Sequence, residues 1–393
     1  VEEEGPLVTE LRDAQPRSRA LRAGVIGAGF IGQVHARSAR AAGARLAGIV
    51  ASSPERSEQV SRELGAEAVF ADAEELIASD EVDVVHVCAP NDLHASLTVA
   101  ALAAGKHVVC EKPVAFTPSG AEELIGAAEA AGRVVTVPFA YRYYPIVREA
   151  RARVRSGGIG AVRLVHGTYL QDWLLTPEDD NWRVDADRGG PSRAFADIGA
   201  HWCDLVEFVT GERIVALTAR TMIAQPERPG AGGHSFSSGE DVGSSGARRV
   251  ETEDVAVLLL EMEGGALGSL VVSQVSAGRK NRLWFEVSGA ERGVSFDQEN
   301  PETLWVGGRD ENHAVPRAHA TLSPEAAAYV TLPGGHPQGF ETCFHAFVAD
   351  TYAAIGGESP DGLPRLADGL RATRLTDAVL RSADSRDWAE VAA

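Results

Sequence analysis

The chain has 393 residues, 44% of them hydrophobic, and a formal net charge of -19; it can bury large cores, and its length points to two domains. The acidic balance argues against a nucleic acid or an anionic membrane as partner, since phosphate-bearing surfaces attract basic ones, and no run approaches the ~20 apolar residues of a membrane span. Four cysteines (Cys88, Cys110, Cys203, Cys343) without CxxC or zinc-ligand spacing point to a reducing, cytoplasmic setting.

Residues 1–20 are polar, charged and interrupted by Pro6 and Pro16, and read as an N-terminal arm. The acidic start Val1 to Glu4 is the reverse of a basic signal-peptide leader. From Leu21 strands and helices alternate: strand Arg22 to Ile26, helix from Phe30, strand Leu46 to Val50, helix from Pro54, strand Val69-Phe70 and helix from Asp72. The rhythm continues with strand Val84 to Cys88, helix Leu93 to Ala104, strand His107 to Cys110, helix Pro118 to Ala131 and strand Val134 to Val137. Val-rich strands without polar alternation are buried on both faces, as in a parallel sheet covered by helices. Residues 21–145 therefore read as a doubly wound α/β domain.

Beyond a helix over Ile146 to Arg155, longer β-rich runs take over: Val162 to Leu170, Ile214 to Ile223, Val255 to Met262, Ala266 to Val275, Arg282 to Val287 and Thr303 to Val306. Strands with few helices between them predict an α+β domain over 146–393, built on a large open, mostly antiparallel sheet. Gln225 to Arg249, rich in Gly, Ser and Pro, reads as a long loop. Helices over Phe340 to Ile355 and Leu366 to Ser382 close the chain, placed to pack back on the first domain.

Gly27-x-Gly29-x-x-Gly32 follows an apolar strand and opens a helix, the setting in which these glycines mark a dinucleotide site. Gly27 permits the tight turn, Gly29 lets backbone approach a pyrophosphate, and Gly32 lets the helix pack close to the strand. Phe30 and Ile31 supply N-H groups at the positive end of the helix. The second strand ends in Val50-Ala51-Ser52-Ser53 with Arg56 after it, and lacks the carboxylate that binds a ribose 2′-hydroxyl in NAD sites. Ser52, Ser53 and Arg56 suit a 2′-phosphate, so the cofactor expectation is NAD(P), leaning to NADP. The same residues also read as helix caps and a solvated arginine.

Glu111-Lys112-Pro113 ends the strand His107 to Cys110 at the rim where such sheets hold dinucleotides, so Lys112 can reach a reacting oxygen. In Asp197-Ile198-Gly199-Ala200-His201 the carboxylate and imidazole are four residues apart, on one face if a helix begins here. A cap at Asp197 and a packed His201 are the plainer reading.

Together these motifs, with Ala89-Pro90-Asn91, His94 and Gly105-Lys106-His107, resemble the glucose-fructose oxidoreductase, inositol dehydrogenase and rhizopine-catabolism family, Gfo/Idh/MocA, over Leu21 to Asp387. The resemblance implies a Rossmann domain, a sheet domain that often forms homodimer or homotetramer contacts, and a nicotinamide cofactor. It also implies sugars, cyclic polyols or ketosugars as substrates. It assigns Lys112, Asp197 and His201 to the active site, and Ala89, Pro90, Asn91, His94, Glu111 and Arg183 to the neighbourhood of the cofactor. Pro113 is expected to follow a cis bond. An unperturbed imidazole, at ~6.5, suits proton transfer better than an amine at ~10.4. His201 is thus the expected acid/base and Lys112 the stabiliser of the reacting oxygen. Tyr141, Arg142 and Trp182 are the expected substrate contacts, with Tyr169, Trp173 and His336 behind them. Scattered histidines form no metal site, and hydride transfer to nicotinamide needs none. Two rival functions are a dinucleotide-dependent glycosidase and a catalytically silent dinucleotide-responsive binding protein.

Overall fold

The computed structural model describes residues 20–229 and 247–393; residues 1–19 of the predicted arm and 230–246 of the predicted loop lie outside the described residues. Five short apolar strands, β1 (Arg22–Ile26), β2 (Arg45–Val50), β3 (Val84–Val87), β4 (His107–Cys110) and β5 (Val135–Thr136), form one parallel sheet in the order β2-β1-β3-β4-β5. The crossovers are α1 (Phe30–Ala41), α2 (Pro54–Leu64) with α3 (Ala73–Ala78), α4 (His94–Ala103) and α5 (Pro118–Ala131). The order reverses beside β1, so the carboxyl ends of β1, β3 and β4 open on one crevice. The expected strand at Val69-Phe70 reduces to a single parallel bridge between Ala68 and Gly48. Phe70 instead turns inward over Gly48, where a β-carbon would meet its ring at 2.3 Å.

After α6 (Pro145–Arg155) comes the second sheet. Its strands are β6 (Val162–Leu170), β7 (Ile214–Met222), β10 (Val255–Met262), β11 (Leu267–Ser273), β12 (Arg282–Gly289), β13 (Gly293–Asp297), β14 (Thr303–Gly307), β15 (Asn312–Pro316) and β16 (Ala389–Glu390). All pairings are antiparallel except β6 with β11. The ends of the predicted long loop are not loop: β8 (Glu227–Pro229) and β9 (Ala247–Arg249) pair as a ribbon. Between β6 and β7 lie a short helix α7 (Ala186–Gly189) and α8 (Ala200–Thr210); α9 (Pro324–Ala327), α10 (Phe340–Ile355) and α11 (Leu366–Ser385) follow β15.

One face of this sheet packs on α6, α8 and α11, and α10 and α11 also lie against α1 and α5. The other face is open and carries Leu164, Val257, Leu259, Leu267 and Val271 in the solvent-facing alternation of β6, β10 and β11. No helix among the described residues is long and apolar enough to cross a membrane.

Candidate active site

The glycine loop leaves β1 with Gly27 at φ 107°, where an added β-carbon would lie 2.3 Å from the Cys88 carbonyl oxygen. At Gly32 it would lie 1.8 Å from the Gly27 carbonyl oxygen, so α1 can approach β1 this closely only without a side chain there. Gly29 faces open space and caps α1 without a side-chain hydrogen bond, leaving the first N-H groups of the helix, with exposed Phe30 and half-buried Ile31, free to meet an anion. These features fit a pyrophosphate.

Around the adenosine end, Ser53 caps α2 by accepting the Arg56 backbone N-H at 3.2 Å, while the Arg56 guanidinium donates to Gln59 at 3.0 Å. Ser52 stays exposed. At the end of β3, Pro90 leads into a 3-10 turn, and Asn91 donates to the Gly189 carbonyl at 2.9 Å, tying this turn to α7. His94, expected at the cofactor, is committed elsewhere: it is 1% exposed and its two ring nitrogens bond the carbonyls of Pro113 and Ala89. It braces the two strand ends against each other. Glu111 is likewise turned beneath the cleft, bonding His35 and the Lys112 backbone.

The Lys112-Pro113 bond is cis. Lys112 reaches across to the second domain, where its Nζ donates to Asp197 Oδ1 at 2.7 Å and to the Asp197 carbonyl at 2.8 Å. Gln274, at the end of β11, donates to the other carboxylate oxygen at 2.9 Å. Arg183 lies 3.6 Å from Oδ1 and stacks over the Trp182 ring, 4.4 Å from its centroid. Burial raises the Asp197 carboxyl, but the adjacent Lys112 and Arg183 charges outweigh it and hold the group far below the usual carboxylate range.

Asp197 is not a helix cap. It sits inside a π-helical turn, Phe195–Gly199, that feeds directly into α8 and so presents Asp197 and His201 to one cleft. Glu253 imposes this widened turn by accepting the N-H groups of Arg193 and Phe195 and the Ser192 hydroxyl, and Ser192 in turn accepts the Ala196 N-H. π-Turns recur at functional sites because they re-aim side chains without ending a helix.

His201 packs edge-on against Phe139 and Tyr141, at ring separations of 5.6 and 5.1 Å. Among the described residues neither ring nitrogen has a hydrogen-bond partner. Burial and the Lys112 charge lower the imidazole to about 3, so it is neutral near pH 7. Next to it, the hydroxyls of Tyr141 and Tyr169 bond each other and Asn281, and Asn281 accepts from Gln171, which accepts from Trp173.

Arg142 departs from expectation. Its guanidinium is buried in ion pairs with Asp204 and Asp368 and lines a separate cavity with Glu207, Phe208 and Arg371, so it fastens α8 and α11 instead of facing a substrate. His336 is exposed, and its carbonyl holds Arg317. Gln171, Gln274 and Asn281 were not singled out by the sequence. The one available signal was a polar residue at the end of an apolar strand run, which holds for Gln171 and Gln274.

The family description "Oxidoreductase family, NAD-binding Rossmann fold" matches residues 21–139, and "GFO/IDH/MocA C-terminal domain" matches 147–295. The chain is 30% identical over 388 residues to levoglucosan dehydrogenase of Pseudarthrobacter phenanthrenivorans, covering 94% of this chain and 98% of that one. The chain belongs to the Gfo/Idh/MocA family. Among solved structures, this Gfo/Idh/MocA protein superimposes on an oxidoreductase domain protein from Kribbella flavida with a TM-score of 0.85 at 35% identity, over 95% of this chain and all of the other. It also superimposes on levoglucosan dehydrogenase in complex with NADH and levoglucosan, with a TM-score of 0.85 at 28% identity and 95% and 100% coverage. It is an NAD-binding oxidoreductase.

Proposed function

We propose that this Gfo/Idh/MocA enzyme oxidises a hydroxyl of a neutral sugar or cyclic polyol, or reduces the matching ketosugar, with Lys112, Asp197 and His201 as its reacting groups. The observation that carries the reading is the meeting of the Lys112–Asp197 pair with an imidazole whose nitrogens are unbonded, at the carboxyl end of β4. Relatives named levoglucosan dehydrogenase and myo-inositol 2-dehydrogenase support the substrate class.

The Gly27–Gly32 loop and the start of α1 would hold a nicotinamide dinucleotide, which would supply the hydride chemistry. Lys112, paired with Asp197, hydrogen-bonds the reacting oxygen and stabilises negative charge on it. Neutral His201 takes the hydroxyl proton in oxidation and returns it in reduction. The Lys112 charge eases loss of the proton from the hydroxyl, and with burial it keeps His201 neutral, with a free lone pair to receive that proton. Trp182, Tyr141 and the Gln171–Asn281 network supply an aromatic and hydrogen-bonding wall for a sugar ring. Gly27, Gly29, Phe30, Ile31 and Gly32 cradle the pyrophosphate; Ala89, Pro90, Asn91 and Arg183 lie toward the nicotinamide. The open face of the second sheet is assigned to a homodimer or homotetramer contact, and the four unpaired, buried cysteines suit a reducing cytoplasm.

The deciding experiment is a screen of levoglucosan, myo-inositol and glucose with NAD and NADP, following reduced nicotinamide. Net reduction is expected with at least one of them; glycoside cleavage without net reduction would replace this reading by the glycosidase. His201→Ala is expected to lower turnover about 10²- to 10⁴-fold and to leave NAD affinity as it is, and near-normal turnover removes His201 from its role. On cofactor choice, the missing carboxylate after β2 favours NADP, whereas the engagement of Ser53 and Arg56 within α2 and the NADH complexes of relatives favour NAD. Arg56→Ala discriminates: a loss of NADP affinity alone assigns a 2′-phosphate contact, and an unchanged NADP affinity removes that contact.

A further inference from the structure

Beneath the Glu111-Lys112-Pro113 turn lies a line of titratable side chains that the proposed chemistry does not use. Glu111 Oε1 is 3.0 Å from His35 Nε2, His35 Nδ1 is 2.9 Å from His86 Nδ1, and His86 Nε2 is 2.8 Å from the Tyr352 hydroxyl. The second carboxylate oxygen of Glu111 accepts the Lys112 backbone N-H at 3.2 Å. The four residues come from α1, β3, the end of β4 and α10. His35 and His86 are fully buried, Glu111 and Tyr352 nearly so, and none of their polar atoms lacks a partner. Phe344, also on α10, closes over the His35 ring at 5.1 Å.

Hydrogen-bond chemistry gives the line a direction. An ionised carboxylate only accepts, so His35 donates from Nε2. With both rings neutral, His35 Nδ1 accepts from His86 Nδ1-H, and His86 Nε2 accepts the Tyr352 O-H. Burial, then the neighbouring His35, hold His86 well below its ordinary value. Burial pushes Glu111 up, yet the His35 hydrogen bond and the electrostatic pull of its neighbours, Lys112 among them, outweigh it and keep the carboxyl below its usual range. Apolar side chains of similar volume would fill this core without loss of stability. A fully satisfied polar line fixes geometry instead.

We propose that Tyr352, His86 and His35 keep the Glu111 carboxylate seated on the Lys112 backbone, so that docking of α10 on α1 sets the position of the catalytic lysine. Tyr352 and His35 are then positioning residues that act through Glu111. The inference rests on the role given above to Lys112. The groups that face Glu111 are His35 from α1, His94 from α4, Lys112 beside it, His201 from α8 and the thiols of Cys88 past β3 and Cys110 of β4; His86 faces His35 and Tyr352.

The test uses the full chain with NAD and whichever screened sugar turns over fastest. Tyr352→Phe removes one hydroxyl and keeps the ring, His35→Leu removes both nitrogens, and His35→Gln restores a donor to Glu111. The expected kcat falls about three- to tenfold in Tyr352→Phe and about ten- to a hundredfold in His35→Leu, with recovery in His35→Gln and KM unchanged. A carbon-13 NMR titration of the Glu111 carboxyl moves up by about one pH unit in His35→Leu. The acid limb of kcat moves up with it, since the protonated carboxyl is the inactive form. The NMR titration needs no turnover, so it separates the two readings. If it shifts while Lys112→Met stays active, the role of Lys112 fails and the hold on Glu111 stands. An unmoved Glu111 titration overturns the proposal, as does a lowered melting temperature with unchanged kcat and pH profile in the folded variants.

Discussion

The Lys112 charge bears on His201, the group proposed above to exchange a proton with the substrate. Burial, and after it the Lys112 charge, takes His201 down to about 3. Lys112→Met removes that charge, so the imidazole is expected to rise toward its ordinary value of ~6.5. An NMR titration of the His201 ring checks this in the presence and absence of Lys112; no movement would mean that burial alone sets it. The same variant should lose about 10²- to 10³-fold in kcat, the scale of one missing donor at a developing oxyanion. Residue type pointed to Lys112, Asp197 and His201 because their chemistry matches hydride transfer. It could not tell Arg142 or His94 from site groups, because what commits them is a partner distant in sequence: Asp204 and Asp368 for Arg142, Pro113 for His94.

At the scale of elements, α8 is aimed by its anchors. Trp202, the residue after His201, is wholly buried and donates from Nε1 to the Trp284 carbonyl of β12 at 2.9 Å. It reaches that oxygen through a gap left by Gly167 of β6, where a β-carbon would lie 2.4 Å from the indole nitrogen and 2.1 Å from the Trp284 oxygen. Gly167→Ala therefore must displace Trp202 or part β6 from β12. It is expected to cost about 1–3 kcal/mol of stability and to lower kcat by moving His201, as thermal denaturation and steady-state rates would reveal. The apolar spacing of Leu205, Val206 and Val209 made the helix legible. The π-turn before it was not, because Glu253 dictates it from 56 positions beyond Asp197.

Over the whole molecule, the cleft forms where the carboxyl end of β4 meets the turn before α8, and the second sheet leaves one face bare. Val257, Leu259, Leu267 and Val271 line that face, with Leu259 and Leu267 more than half exposed. This is the face on which the proposed contact between copies of the chain is placed. If the proposed contact forms there, Leu259→Lys lowers the mass in solution read by light scattering and keeps the cofactor affinity; an unchanged mass removes the contact from this face. Sequence by itself determined the alternation of apolar strands and amphipathic helices, the glycine loop and the residue types of the groups proposed to react, because periodicity and residue type are local properties. Tertiary structure alone decided that the lysine from one sheet and the aspartate and histidine from beyond the other strand system share one cleft. It also decided that β8 and β9 pair, that Gln274 holds Asp197, and that Arg142 and His94 are bound within the fold, because each depends on which distant side chain satisfies a buried charge or hydrogen bond.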